Sequence, residues 1–163
     1  EKAHGFWFNI NAELKKMEAV QESLERRKER LETLGRLFES KLIGLANDGT
    51  ISKLPKKAVP GGPAESAEDV FGADEGETGL TKFIADENKD RKILIRGMAI
   101  ATLRATEQDE KDKEAISTST EKSQGIFAKQ NLAKLRPGWF YQDEEGAWNK
   151  ISPPEEETPE PKR

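Results

Sequence analysis

The chain contains no cysteine and a single histidine, His4. The first absence excludes disulfides, thiolate nucleophiles and cysteine-ligated metals. The second leaves any serine nucleophile without its usual base, and any zinc site with carboxylates alone, an uncommon ligand set. Neither phosphate-binding fingerprint, G-x-x-x-x-G-K-[ST] or G-x-G-x-x-G, occurs in the sequence. "DEGE" and "NDGT" carry pieces of a calcium loop without its full spacing and read as turns. Acidic residues are abundant, but no two of them stand apart in an apolar setting, as a glycosidase pair would. The reading is therefore no catalytic residue, no metal ligand, no cofactor, and not an enzyme. No apolar run approaches the roughly 18 residues of a membrane-spanning helix. A basic surplus is missing too: 27 Lys and Arg stand against 31 Asp and Glu, for a net charge of −4. That balance argues against nucleic acid as a partner. The chain starts at Glu1 rather than Met. That is expected if a leading segment has been removed, and a signal peptide or lipid anchor in it would leave no trace here.

Apolar residues are also scarce, at 34% against 36% charged, where a typical domain is about 45–50% apolar. The core should be thin, or part of the chain should not pack. Leu14, Met17, Val20 and Leu24 recur at helical spacing, and Leu31, Leu34 and Phe38 resume the stripe. This predicts one amphipathic helix from about Asn11 to Lys41. Ahead of it Phe6, Trp7, Phe8 and Ile10 form an apolar knot, a short strand or a docking segment. Gly44 is expected to end the helix in the left-handed conformation, and Asn47, Asp48 and Gly49 to make a tight turn. Residues 52–79, rich in Pro and Gly, read as a flexible insertion loop. A second helix, buried on more than one face, is predicted from Leu80 to about Thr106. A third runs from about Lys113 to Leu135, weakened by "STSTEKSQG", with a break possible near Ser123.

The end of the chain differs in kind. Pro137 and Gly138 stop the third helix, "WFYQ" is an aromatic strand, "DEEG" a turn, and "AWNKI" the returning strand. A lone hairpin is marginal in water, so this one must pack on the helices. Trp139, Tyr141 and Lys150 are candidates for binding a partner, because aromatics are enriched at interfaces. The same aromatics also serve to bury the hairpin. The expected fold is mainly α, a bundle of about three helices with a C-terminal β-hairpin. It forms one domain over residues 6–151, followed by a disordered acidic, Pro-rich tail at 152–163.

Three segments in order, "RRKERLETLGRLFESKLIGLANDGTI", "ENKDRKILIRGMA" and "KLRPGWFYQDEEGAWNKI", resemble the YdbL-like family of small exported bacterial proteins. The resemblance spans roughly residues 25–151, interrupted by 52–79. The matching positions are Gly44 and Gly49, with Asn47 in the same turn; Asn88 and Arg91; and Pro137, Gly138, Tyr141, Gly146, Trp148 and Lys150. The longer first helix, the loop and the acidic tail depart from the family's short form. The resemblance implies a non-catalytic, exported or periplasmic accessory protein with a chaperone-like role. Its expected partner is an envelope protein, such as a small lipoprotein or an AsmA-like protein of a lipid-transport assembly. Two other readings come from the residues themselves. One is a structural module that self-associates into a homodimer through Leu24 and Leu31, a heptad apart. The other is a carrier holding a lipid or small ligand between the helices.

Overall fold

The computed structural model describes residues 2–154 of the chain, with side-chain surroundings from residue 5 onward. The protein is mainly α, and the last regular element among the described residues is a β-hairpin. Among the described residues there are five α-helices rather than about three. These are α1 (Lys2–Lys15), α2 (Glu18–Glu39), α3 (Ala67–Phe71), α4 (Gly76–Ala105) and α5 (Lys113–Ala133). There are also two hairpins rather than one: β1 (Ile43–Leu45) with β2 (Ile51–Lys53), and β3 (Phe140–Gln142) with β4 (Trp148–Lys150). They join through parallel β1 and β3 into one four-stranded sheet of order β2-β1-β3-β4.

The single helix expected over 11–41 is a corner. α1 stops at Lys15, Met17 is extended with φ −90 and ψ 108, and α2 begins at Glu18. Phe6 to Ile10 lie in α1, not in a strand. The apolar spacing hides the corner because Leu14, Met17 and Val20 all converge on Gly97 of α4. A Cβ there would lie 2.5 Å from Val20 Cγ2. That close approach fixes how both helices lie on α4, and no Gly or Pro marks the bend.

α2 also ends differently from the expectation. Lys41, not Gly44, takes the left-handed conformation, with φ 64. Its N–H bonds Phe38 O at 3.2 Å and the Leu42 N–H bonds Leu37 O at 3.1 Å. This is a Schellman closure, with Leu42 buried beside Leu37 as its apolar contact. Gly44 falls inside β1. There a Cβ would meet Trp148 Cζ3 at 2.6 Å and the Phe140 carbonyl at 3.1 Å, so the glycine admits the indole.

The flexible insertion expected at 52–79 instead contains β2, a 3₁₀ turn (Lys56–Ala58), α3 and the start of α4. Single apolar residues between the Pro and Gly positions pin it: Leu54, Val59 and Ala67 are buried. Ser66 and Asp69 make a reciprocal capping box at the start of α3, and Arg36 of α2 grips Glu65 at 2.8 Å. α5 runs unbroken past Ser123. Its weak helix formers serve packing, since Ser119 and Ser123 are buried and the Ser119 hydroxyl donates to Ala99 O of α4 at 2.8 Å. Apart from residues 152–154, which carry no regular structure, the expected disordered tail lies outside the described residues.

The sheet has two faces. Ile43, Leu45, Ile51 and Tyr141 pack toward Leu37, Phe38, Leu80 and Phe83 of the helices. Phe140 and Trp148 pack on the opposite side with Leu54 and Val59. Both hairpins turn in the same way. Ala46 N–H bonds Thr50 O at 2.8 Å and Gly49 N–H bonds Ala46 O at 3.0 Å. Asp143 N–H bonds Ala147 O at 2.8 Å and Gly146 N–H bonds Asp143 O at 3.0 Å. Gly49 and Gly146 both have φ 87, the left-handed glycine that a three-residue hairpin loop requires.

Candidate functional site

The residues singled out along the chain meet at the two turns. Arg91 of α4 donates to Gly49 O at 2.9 Å. Asn88, one residue past Glu87, bridges both backbone groups of Ile51: its amide oxygen accepts from the Ile51 N–H at 2.8 Å, and its amide NH₂ donates to Ile51 O at 2.9 Å. Asn47 reaches the other hairpin, donating from its side chain to Asp143 O at 3.0 Å and from its backbone to Gln142 Oε1 at 3.3 Å. Gly44 lies under Trp148. Gly138, with φ 90, donates to Ile151 O at 2.9 Å and opens the second hairpin just after exposed Pro137. Gly44, Asn47, Gly49, Asn88, Arg91, Gly138, Gly146 and Trp148 are thus one connected piece of architecture.

Beneath it lies a cluster of buried charges. Glu87, Asp90 and Arg91 are buried in the middle of α4. Glu87 accepts from Arg91 at 2.7 Å, Arg30 at 3.2 Å and Arg27 at 3.3 Å. Asp90 accepts from Arg26 at 2.8 Å and from Arg30 at 2.5 Å. The Phe127 ring of α5 stands 5.8 Å from the Arg27 guanidinium and 5.9 Å from that of Arg91. Burial pushes the Asp90 carboxyl up, but hydrogen bonds from Arg26 and Arg30 outweigh it and hold the group below its ordinary range. Burial pulls the Arg91 guanidinium down, against the attraction of Glu87. Each carboxylate is saturated by guanidinium donors, so the cluster works as an electrostatic brace joining α2, α4 and the first turn. The interruption "RRKER" in the apolar stripe of α2 was its one signal in the sequence. Arg30 follows Arg26 by four residues and Arg27 by three, so it shares a face with each of them and the three reach one neighbour.

The aromatic candidates are docked. Trp139 stacks on Phe38 at 4.8 Å and 12°, donates its indole N–H to Glu39 at 2.7 Å and carries Arg136 at 5.6 Å. Tyr141 is half-buried against the helical core. Trp148 is half-buried over Gly44, and Lys150 is exposed, its ammonium 5.6 Å from the Phe140 ring. Among the described residues no group of three or more Asp, Glu or His is placed to hold a metal ion, and no helix is long and apolar enough to cross a membrane. No family model, curated protein or solved structure matches the chain.

Proposed function

We propose that the protein is a non-catalytic accessory factor of the cell envelope, which binds a partner protein at the sheet end carrying β3 and β4. The observation that carries this reading is the division of labour among its polar and aromatic groups. The carboxylates buried at the centre are saturated by guanidinium donors, while the second hairpin leaves Trp148 half-exposed and Lys150 exposed on one outer face. The resemblance to the YdbL-like family supports an exported location. It also supports a lipoprotein or an AsmA-like protein as the class of partner.

Lys150→Glu tests this cleanly, because the side chain is exposed and its loss leaves the packing of Trp139 and Tyr141 in place. Full-length wild type used as bait in an envelope extract should retain a specific protein that the variant loses. Retention of no specific protein by the wild type would overturn the reading.

A second reading is self-association through α2, where Leu24 and Leu31 are 43% and 64% exposed. A seam needs such residues outward, and Lys28 lies between them with Glu25 and Glu32 alongside. Light scattering that returns a monomer at high concentration removes it. The carrier reading has less behind it. The cleft of about 310 Å³ beside the α4–α5 connection is lined by polar Thr102, Gln108, Asp112, Thr118 and Lys122, a poor lining for a lipid.

A further inference from the structure

The two outer edges of the sheet are treated in opposite ways. In the first hairpin the ladder bonds fall at Ala46 with Thr50 and at Leu42 with Leu54. Residues 51 and 53 of β2 therefore turn their backbone groups outward. Asn88 takes up both groups of Ile51 and closes that half of the edge with a side-chain amide standing in for a neighbouring strand, and at Lys53 the carbonyl takes the Ser52 hydroxyl at 3.4 Å. In the second hairpin the ladder bonds fall at Asp143 with Ala147 and at Trp139 with Ile151. The register then turns the N–H and C=O groups of Trp148 and Lys150 outward along β4. No described side chain bonds them. Exposed edges of this kind are ordinarily blunted or covered, because they template pairing with another chain.

We infer that β4 is the docking strand for an extended segment of a partner polypeptide, which adds to the sheet beside Trp148 and Lys150. This rests on the reading that the β3–β4 end binds a partner, and it names the mode. Four outward backbone groups set the affinity, and the side chains of β4 set the preference. Trp148 and Lys150 share the outer face of the sheet. A residue opposite Trp148 would continue the apolar patch of Leu54, Val59 and Phe140, so it should be apolar. The residue two positions along would face the Lys150 ammonium, so it should be acidic. β4 itself reads Trp-Asn-Lys and offers no acid to meet Lys150, which favours a different polypeptide over a second copy of β4.

The test uses the full chain, ¹⁵N-labelled, and nine-residue alternating Val/Thr peptides with Glu or Lys at the position facing Lys150. The Glu peptide should shift and protect the amides of Trp148 and Lys150 while leaving Ile51 unchanged. The Lys peptide should bind up to about fivefold more weakly, the scale of one cross-strand charge pair. Lys150→Pro removes an outward N–H without touching the ladder, so it should abolish binding while Lys150→Ala retains it with the charge preference lost. No shift at β4 at millimolar peptide, or equal binding by Lys150→Pro, overturns the inference. So does protection of β4 that rises with protein concentration alone, which would indicate a second copy. If an envelope protein is captured equally by wild type and Lys150→Pro, edge pairing fails while partner binding stands; if the wild type captures none, the broader reading fails.

Discussion

Hairpin β1–β2 closes over Ala46–Thr50 and hairpin β3–β4 over Asp143–Ala147, with matching turn bonds and a glycine at φ 87 in each. Their surroundings differ throughout. The first turn is inserted into the helices: Gly49 O takes Arg91, a Cβ at Gly49 would lie 2.9 Å from Phe127, and Asn88 closes the edge at Ile51. The second turn is exposed and held mostly from within, by the Asp143 carboxylate accepting from Glu145, Ala147 and Asn149, with Asn47 its one side-chain tie to the first turn. The parallel register sets Leu45 beside Tyr141, one residue out of step with the alignment of the turns. A one-residue shift inverts which side chains face which way. That is why Ile51 points into the helical core while Trp148, at the equivalent position of its hairpin, points to the outer face. One local geometry can therefore be a buried joint or an exposed ledge, depending on register and on what the helices present to it.

The contrast breaks most sharply at the brace. Glu87→Ala leaves Arg27, Arg30 and Arg91 facing one carboxylate fewer, with Arg91 at 3% exposure. Removing one partner of a buried pair costs about 3–5 kcal/mol. Urea unfolding should register that loss, and amide exchange should show the first hairpin opening before the second. A loss within experimental error would mean that the cluster is solvated and does not hold the first turn.

The paired glycines separate conformation from packing. Gly146→Ala should cost only the left-handed backbone, about 1–2 kcal/mol, because open space surrounds that position apart from Gln142 at 3.8 Å. Gly49→Ala carries the same backbone cost and must also displace Phe127, adding about 1–3 kcal/mol of overpacking. Equal losses in thermal unfolding would show that Phe127 moves aside freely. Asn88→Ala comes next. It orphans two backbone groups on Ile51, a residue 1% exposed, at about 1–3 kcal/mol. The Ile51 amide should then exchange as rapidly as that of Trp148, turning the sealed edge into a copy of the open one. An Ile51 amide that stays protected would show that something other than Asn88 covers it.

The second hairpin was legible in the sequence because its signals are local: a Pro-Gly stop, an aromatic run, an acidic turn with a glycine, and an aromatic return. The long helices α4 and α5 were legible for the same reason. The first hairpin was not, though "IGLANDGTISK" holds the same turn. Its apolar strand merges with the end of α2, and the Lys41 closure looks like neither a glycine cap nor a loop. The brace was hidden for a different cause. Arginines spaced along a helix look the same whether they face water or buried carboxylates, and only the placing of Glu87 and Asp90 on α4 decides it. Of the site residues, Gly49, Asn88 and Arg91 stood out by resemblance, but that they touch one another is a fact of tertiary structure.

The smallest effect sharpens the comparison from the exposed side. The Asp143 carboxyl lies below its ordinary range. The Ala147 N–H is the largest cause and the Asn149 amide the next, and together they outweigh desolvation. A carboxylate with a lowered folded pKa contributes fully above its unfolded value of about 3.9, and that contribution drains as the pH falls through the lowered folded value. The β3–β4 turn should therefore loosen only in that acid window. The Glu145 and Ala147 amide shifts should report it in a pH titration, with no change between neutral pH and about pH 5. Asp143→Asn keeps an oxygen that accepts from the Glu145 and Ala147 N–H groups, gives up the bond from the Asn149 amide, and cannot titrate there, so its turn should loosen no further through the same window. Because Asp90 is also held ionised, by Arg26 and Arg30, acid weakens the brace as well. The variant separates the two: only the β3–β4 amides should lose their titration. If acid loosens the turn equally in Asp143→Asn, the exposed hairpin depends on the buried brace after all, and the two are not held independently.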